Sequence, residues 1–149
     1  MQLPQLNLPK AELKINKKGD LLTVFDAIRD KILVLTPEEW VRQHLVAYFI
    51  NHLGYPKNLF SLEIGSIYNQ RKKRSDIVIY DREGKIWMLV ECKAAHIAIN
   101  QKVLEQALVY CTTWKPTYLV LSNGLKHIIV SFGVEINQVK IIENFPFFE

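Results

Sequence analysis

The sequence predicts a mixed α/β fold, one sheet with helices on its faces, and three observations carry that expectation. Residues 76–93, Asp-Ile-Val-Ile-Tyr-Asp-Arg-Glu-Gly-Lys-Ile-Trp-Met-Leu-Val-Glu-Cys-Lys, read as two apolar strands around a polar turn. Residues 36–53 and 100–114 both show helical periodicity. The second helix crosses between a strand ending near Lys93 and another starting at Thr117, a connection that should be right-handed if those two strands are parallel. The predicted order is helix, strand, strand, strand, helix, strand.

Residues 1–20 hold Pro4, Pro9 and a Lys-rich stretch with little period, so they read as an extended N-terminal arm that packs late or loosely, before a single domain over residues 21–149. Phe25, Ile28 and Ile32 stand at helical spacing and predict a short helix within residues 22–32, followed by extended Leu33-Val34-Leu35. Thr36-Pro37-Glu38-Glu39 is a helix start: Thr36 as N-cap, Pro37 in the first position and Glu39 where a capping box wants a carboxylate. Val41, Leu45, Tyr48, Phe49 and His52 give that helix an apolar stripe, and Gly54-Tyr55-Pro56 ends it. Residues 59–66 predict a first strand, and the basic run Arg71, Lys72, Lys73, Arg74 connects it to the hairpin. Asn100 opens the second helix through Val103, Ala107, Tyr110 and Trp114, which stops before Pro116. Strands follow at 117–121, 127–132 and 138–142, the first two joined by an Asn123-Gly124 turn, and three phenylalanines in the tail from 144 need cover.

With 149 residues and 49% hydrophobic content, the chain suits one compact domain with a sizeable core. A formal charge of +4 permits an anionic partner and leans toward nucleic acid. Cys92 and Cys111 read as buried thiols rather than a disulfide framework, which fits a reducing cytoplasm. No apolar run approaches the roughly 18 residues of a membrane span, and no secretory signal opens the chain, so a soluble protein without a membrane partner is expected. The absence of a GxxxxGK[ST] loop and of a CxxC pair argues against a built-in nucleotide motor and a zinc knuckle. His44, His52, His96 and His127 show no metal spacing and read as packing or surface residues.

Asp76, Glu91 and Lys93 are the ionisable interruptions of an otherwise apolar hairpin. If the turn is symmetric about residues 82 and 83, Asp76 lies opposite Leu89 and diagonal to Glu91. Diagonal neighbours stand about 7–8 Å apart, a span that two carboxylates close by reaching toward one divalent cation. Lys93 shares the face of Glu91, while Cys92 points into the core with Met88 and Val90 and leaves its backbone carbonyl near the carboxylates. Two acidic oxygens, a carbonyl and an ammonium make a Mg²⁺-type hydrolytic site. The constellation depends on parity: an extra residue or bulge in the turn would send Asp76 and Glu91 to opposite faces.

Asp76 followed by Glu91-Cys92-Lys93 resembles the PD-(D/E)xK nuclease motif, with Ser75 where a proline often stands, and Gln106 with Tyr110 resembles the QxxxY element of a subset of those nucleases. Thr-Pro-Glu-Glu-Trp-Val-Arg-Gln at 36–43, Arg74-Ser-Asp-Ile-Val and Leu-Ser-Asn-Gly at 121–124 resemble the N-terminal nuclease domain of type I restriction enzyme R proteins. The resemblance implies a restriction-endonuclease-like core and Mg²⁺-dependent endonuclease cleavage of DNA phosphodiesters, with Mn²⁺ as a substitute ion. It implies Asp76, Glu91 and the Cys92 carbonyl as metal ligands, Lys93 as the group that stabilises the transition state or orients water, and Gln106 and Tyr110 in support of the site or on DNA. A first-helix carboxylate is also expected, either Glu39 or Glu38. Arg71, Lys72, Lys73 and Arg74, next to Asp76, are the expected DNA-phosphate contacts. Full R proteins append a translocase motor, for which 149 residues leave no room, so a separate motor or specificity subunit is a candidate partner. The competing expectation is a catalytically silent DNA-binding or assembly module of the same fold, its oligomeric state open.

Overall fold

The computed structural model describes residues 3–68, 71–133 and 139–148, and the side chains of 63–68, 71–75 and Tyr110 lie outside the described set. A three-stranded antiparallel meander comes first, β1 (Ile15–Lys18), β2 (Leu21–Asp26) and β3 (Lys31–Val34). Helix α1 (Pro37–Asn51) and a 3-10 turn (Lys57–Leu59) lead to β4 (Phe60–Tyr68), β5 (Arg71–Tyr80) and β6 (Ile86–Cys92). Helix α2 (Gln101–Trp114), β7 (Tyr118–Ser122), β8 (His127–Phe132) and β9 (Val139–Ile142) complete the fold. The large sheet runs β4-β5-β6-β7-β8-β9, with β6 and β7 parallel and the other neighbours antiparallel. This is the mixed α/β architecture with the predicted crossover: α2 carries the chain from β6 to its parallel neighbour β7.

Side-chain alternation along the central strands divides the core in two. Ile77, Ile79, Met88, Val90 and Cys92 pack with Val41, Leu45 and Phe49 of α1 on one face. Val78, Leu89, Leu119 and Leu121 pack with Leu104, Ala107 and Cys111 of α2 on the other. Both helices start as the sequence predicts. The Thr36 hydroxyl accepts from Glu39 N–H at 3.0 Å, and the Asn100 side chain accepts from Val103 N–H at 3.0 Å. Of the tail phenylalanines, Phe145 and Phe148 cover the α1-side core, while Phe147 is exposed.

Three expectations are corrected. Residues 22–32 are a β-hairpin rather than a helix. Alternation of Leu22 and Val24 outweighs the helical spacing of Phe25, Ile28 and Ile32, and Asp26 fixes the turn: its Oδ1 accepts from Ile28 and Arg29 N–H at 2.9 and 3.1 Å. The basic run 71–74 is the start of β5 rather than a connection, and its backbone pairs with residues 65–68 of β4. The N-terminal segment is not loose at its start. Leu6 is buried in the α1-side core, Trp40 Nε1–H donates to the Pro4 carbonyl at 2.9 Å, and Asn7 N–H donates to the Gly124 carbonyl at 2.8 Å. The segment 15–18, expected within the arm, is β1.

Gly124 holds this docking together. Its φ is +84°, and a Cβ there would come within 2.7 Å of a Leu6 methyl. Gly124→Ala therefore combines backbone strain with a clash and should lower stability by about 1–3 kcal/mol. A thermal melt reads this, and an unchanged midpoint would mean the N-terminal segment does not seat against the β7–β8 turn.

Candidate active site

The site lies where β5, β6 and β7 come together at the carboxyl ends of the parallel pair, the place where open α/β sheets leave a crevice. Its geometry follows from two register offsets. Residues 81–85 form an odd-numbered turn, closed by Asp81 N–H to the Lys85 carbonyl at 2.8 Å, which alone would set Asp76 opposite Val90 and off the face of Glu91. Tyr80 then pairs with Ile86 but Ile79 with Met88, which leaves Trp87 as an extra residue in β6. This bulge restores the parity. The last pair of the ladder is Ile77 with Val90, so continuing its register by one step sets Asp76 across from Glu91, while Leu89, which the symmetric turn would have set opposite Asp76, pairs with Val78.

At the end of this ladder the Asp76 carboxylate turns along the sheet, and its Oδ2 accepts from Cys92 N–H at 2.7 Å. Burial pushes Asp76 up to about 6, with the Cys92 N–H working against the shift, Glu38 and Glu91 adding to it, and Arg42 opposing it. Burial also raises Glu91, with Lys93 opposing and Glu38 adding to the rise. One helix carboxylate thus acts on both strand carboxylates, and the charges of Glu38, Asp76 and Glu91 share one neighbourhood.

The two first-helix candidates part company here. Glu39 is buried and occupied: it pairs with Arg42, accepts from Gln43 Nε2 at 2.9 Å and lies 3.6 Å from Arg29, which in turn holds Asp26 at 2.8 Å. Glu38 is exposed and lines a cavity of about 320 Å³ together with Asp76 and Cys92. Arg42 and Arg29, which line the same cavity, are functional candidates that the sequence reading missed. The available signal was Arg42 three residues after Glu39, a helical ion-pair spacing.

Cys92 points into the α1-side core as predicted, and burial pushes its thiol well above the ordinary range. Lys93 continues the parallel ladder by donating its N–H to the Ser122 carbonyl at 2.8 Å, and its charge is felt at Glu91. Gln106 is on the exposed side of α2, whereas Cys111 is close enough to Glu91 for that carboxylate to raise its thiol further. The predicted roles of Tyr110, Arg71, Lys72, Lys73 and Arg74 fall on side chains outside the described residues. Among the described residues, no three His, Cys, Asp or Glu side chains gather closely enough to form a metal-holding group.

The donor set nonetheless suits a hard cation. Asp76 and Glu91 are carboxylates raised chiefly by burial, and a cation beside them would favour their charged forms. The family model for the type I restriction enzyme R protein N terminus (HSDR_N) matches residues 37–146, well over half of the chain. The chain belongs to this family. A solved relative of the HSDR_N fold is a fragment assigned to the HsdR subunit of a type I restriction enzyme from Vibrio vulnificus YJ016, with a TM-score of 0.52 and 17% identity over 75% of this chain. The chain spans 24% of that structure's length. No curated protein matches it. No helix among the described residues of this HSDR_N domain is long and apolar enough to cross a membrane.

Proposed function

We propose that this domain is a Mg²⁺-dependent DNA nuclease module of the type I restriction R family, with Mn²⁺ as a substitute ion. The observation that carries the reading is the hydrogen bond that holds Asp76 at the end of β6, from Cys92 N–H to its Oδ2, with Glu38 acting on both Asp76 and Glu91 and Lys93 beside Glu91. Asp76, Glu91 and the Cys92 carbonyl would hold the ion, with Glu38 rather than Glu39 as the helix contribution, because Glu39 already serves Arg42, Gln43 and Arg29. When bound, the ion lowers the pKa of a water and neutralises charge on the scissile phosphate. Asp76 is positioned by the Cys92 N–H, and Lys93 offers its ammonium to the attacking water or to charge developing on phosphate. Past Ser75, β5 pairs with β4, so the backbone carrying Arg71, Lys72, Lys73 and Arg74 forms a ribbon that leads away from the carboxylates along a path suited to a DNA backbone. Family membership supports DNA and further restriction subunits as partners.

Lys93→Ala tests the reading. If Lys93 acts mainly in the transition state, cleavage of plasmid or linear DNA with Mg²⁺ or Mn²⁺ should fall about 10²–10³-fold while DNA affinity and metal binding stay near wild type. Equal cleavage by wild type and Lys93→Ala would remove the active site from this strand end. The absence of a compact three-residue metal group among the described residues favours a second reading, a catalytically silent DNA-binding or assembly module. DNA binding that persists in Glu91→Ala, with no cleavage by wild type under either ion, would select it.

A further inference from the structure

The cavity beside Asp76 has a wall that the family match does not include. The match begins at residue 37, whereas Lys31, Leu33 and Val34 belong to the meander before it. The rest of the lining is Arg29, Thr36, Glu38, Glu39 and Arg42 around the start of α1, with Asp76 and Cys92 of the large sheet. Asp26, across from Lys31 in the β2–β3 register, is saturated by Arg29 and by two backbone N–H groups. Among the described residues no salt bridge takes up Lys31, which is exposed and belongs to the lining. A volume of about 320 Å³ is at the small end of the range that holds a ligand, suited to one nucleotide and far too narrow for a duplex.

We propose that β3 and α1 form a one-nucleotide pocket beside Asp76, so that the site takes DNA carrying an unpaired nucleotide, such as a flap or a frayed end, in preference to continuous duplex. The inference rests on the reading of the Asp76 edge as a DNA site. Lys31 holds the phosphate of the nucleotide that enters, and Leu33, on the same face of β3, meets its sugar and base. Extrusion of a paired base costs a few kcal/mol and is least costly where the base is already unpaired, so the pocket discriminates by the state of the strand rather than by its sequence.

The test is anisotropy titration of the full chain with flap and blunt-duplex oligonucleotides in Ca²⁺, with gels confirming that the DNA stays intact. Wild type should bind the flap at least about fivefold more tightly. Lys31→Ala should weaken flap binding about 5–10-fold and reduce the salt slope by about 1, and Leu33→Trp, which adds bulk on the face of β3 that Lys31 shares, should erase the flap preference. Lys31 is exposed and Leu33 half-buried, so thermal melts of both variants beside wild type separate loss of the pocket from loss of the fold. Equal affinity for flap and duplex, binding to neither, or variants that keep the preference would overturn the pocket. Cleavage of duplex in Mg²⁺ with no flap preference would leave the nuclease reading standing and remove this one. Flap preference without cleavage in Mg²⁺ or Mn²⁺ would do the opposite.

Discussion

Asp76→Asn raises the melting temperature of the metal-free domain at pH 8 and removes its response to Mg²⁺. In the folded protein Asp76 is raised from 3.8 to about 6, chiefly by burial, so the fold favours its protonated form. The sign follows from proton linkage: between these values the native state binds more protons than the unfolded chain, and stability falls as pH rises. The contribution is fully present below about pH 4 and lost above about pH 6, a change on the order of 2–3 kcal/mol at about 1.4 kcal/mol per pH unit. Glu91 is raised by the same cause and deepens the trend. Asparagine removes the charge but keeps an oxygen that can accept from Cys92 N–H, so its domain should melt several degrees above wild type at pH 8 in EDTA and close to it at pH 4. Mg²⁺ should stabilise wild type by mass action and leave Asp76→Asn unmoved. A variant that melts at or below wild type in EDTA at pH 8 would mean that Asp76 is compensated in the fold and is no vacancy for a cation.

Arg42→Ala is expected to be the most destabilising single change among the polar residues, at about 3–5 kcal/mol. Arg42 and Glu39 have side chains 5% and 9% exposed and pair one helical turn apart, so truncating the arginine leaves a buried carboxylate short of its closest counter-charge. Arg29 at 3.6 Å and Gln43 at 2.9 Å remain as partial compensation. Because the cost is that of an uncompensated charge, adding Glu39→Gln to Arg42→Ala should restore part of the loss. Urea denaturation of the single and double variants reads both effects. A loss under about 1 kcal/mol, typical of an exposed pair, would show that water screens this network.

The site was legible to different depths at different residues. Glu91, Cys92 and Lys93 stand out because ionisable groups at the end of a strand too apolar to be an edge conflict with its burial, and the structure puts that strand in the middle of the sheet. The register was not legible. An odd turn and a bulge at Trp87 each shift pairing by one, and their sum keeps the parity of the symmetric turn while setting Val78 rather than Asp76 opposite Leu89. Glu38 and Glu39 are adjacent in sequence and both suit a first helical turn, so only the positions of Arg29 and Arg42 separate them. Lys31 was hidden for another reason: helical spacing in 22–32 competes with an alternating pattern, and the choice between them was made by the Asp26 turn and by what the strands pack against.

By itself the sequence determined the two capped helices, with caps at Thr36 and Asn100, the order of the strands of the large sheet, and the helix that crosses from β6 to β7. These are consequences of local chemistry, where a hydroxyl or amide meets an orphan N–H and apolar period follows the geometry of one element. Tertiary structure alone decided which carboxylates meet, that the meander closes a cavity over Asp76, and that Leu6 reaches Gly124 from the far end of the chain. Each of these depends on contacts between segments whose separation in sequence carries no trace of their distance in space, and on burial that shifts a carboxyl only after the whole sheet has formed around it.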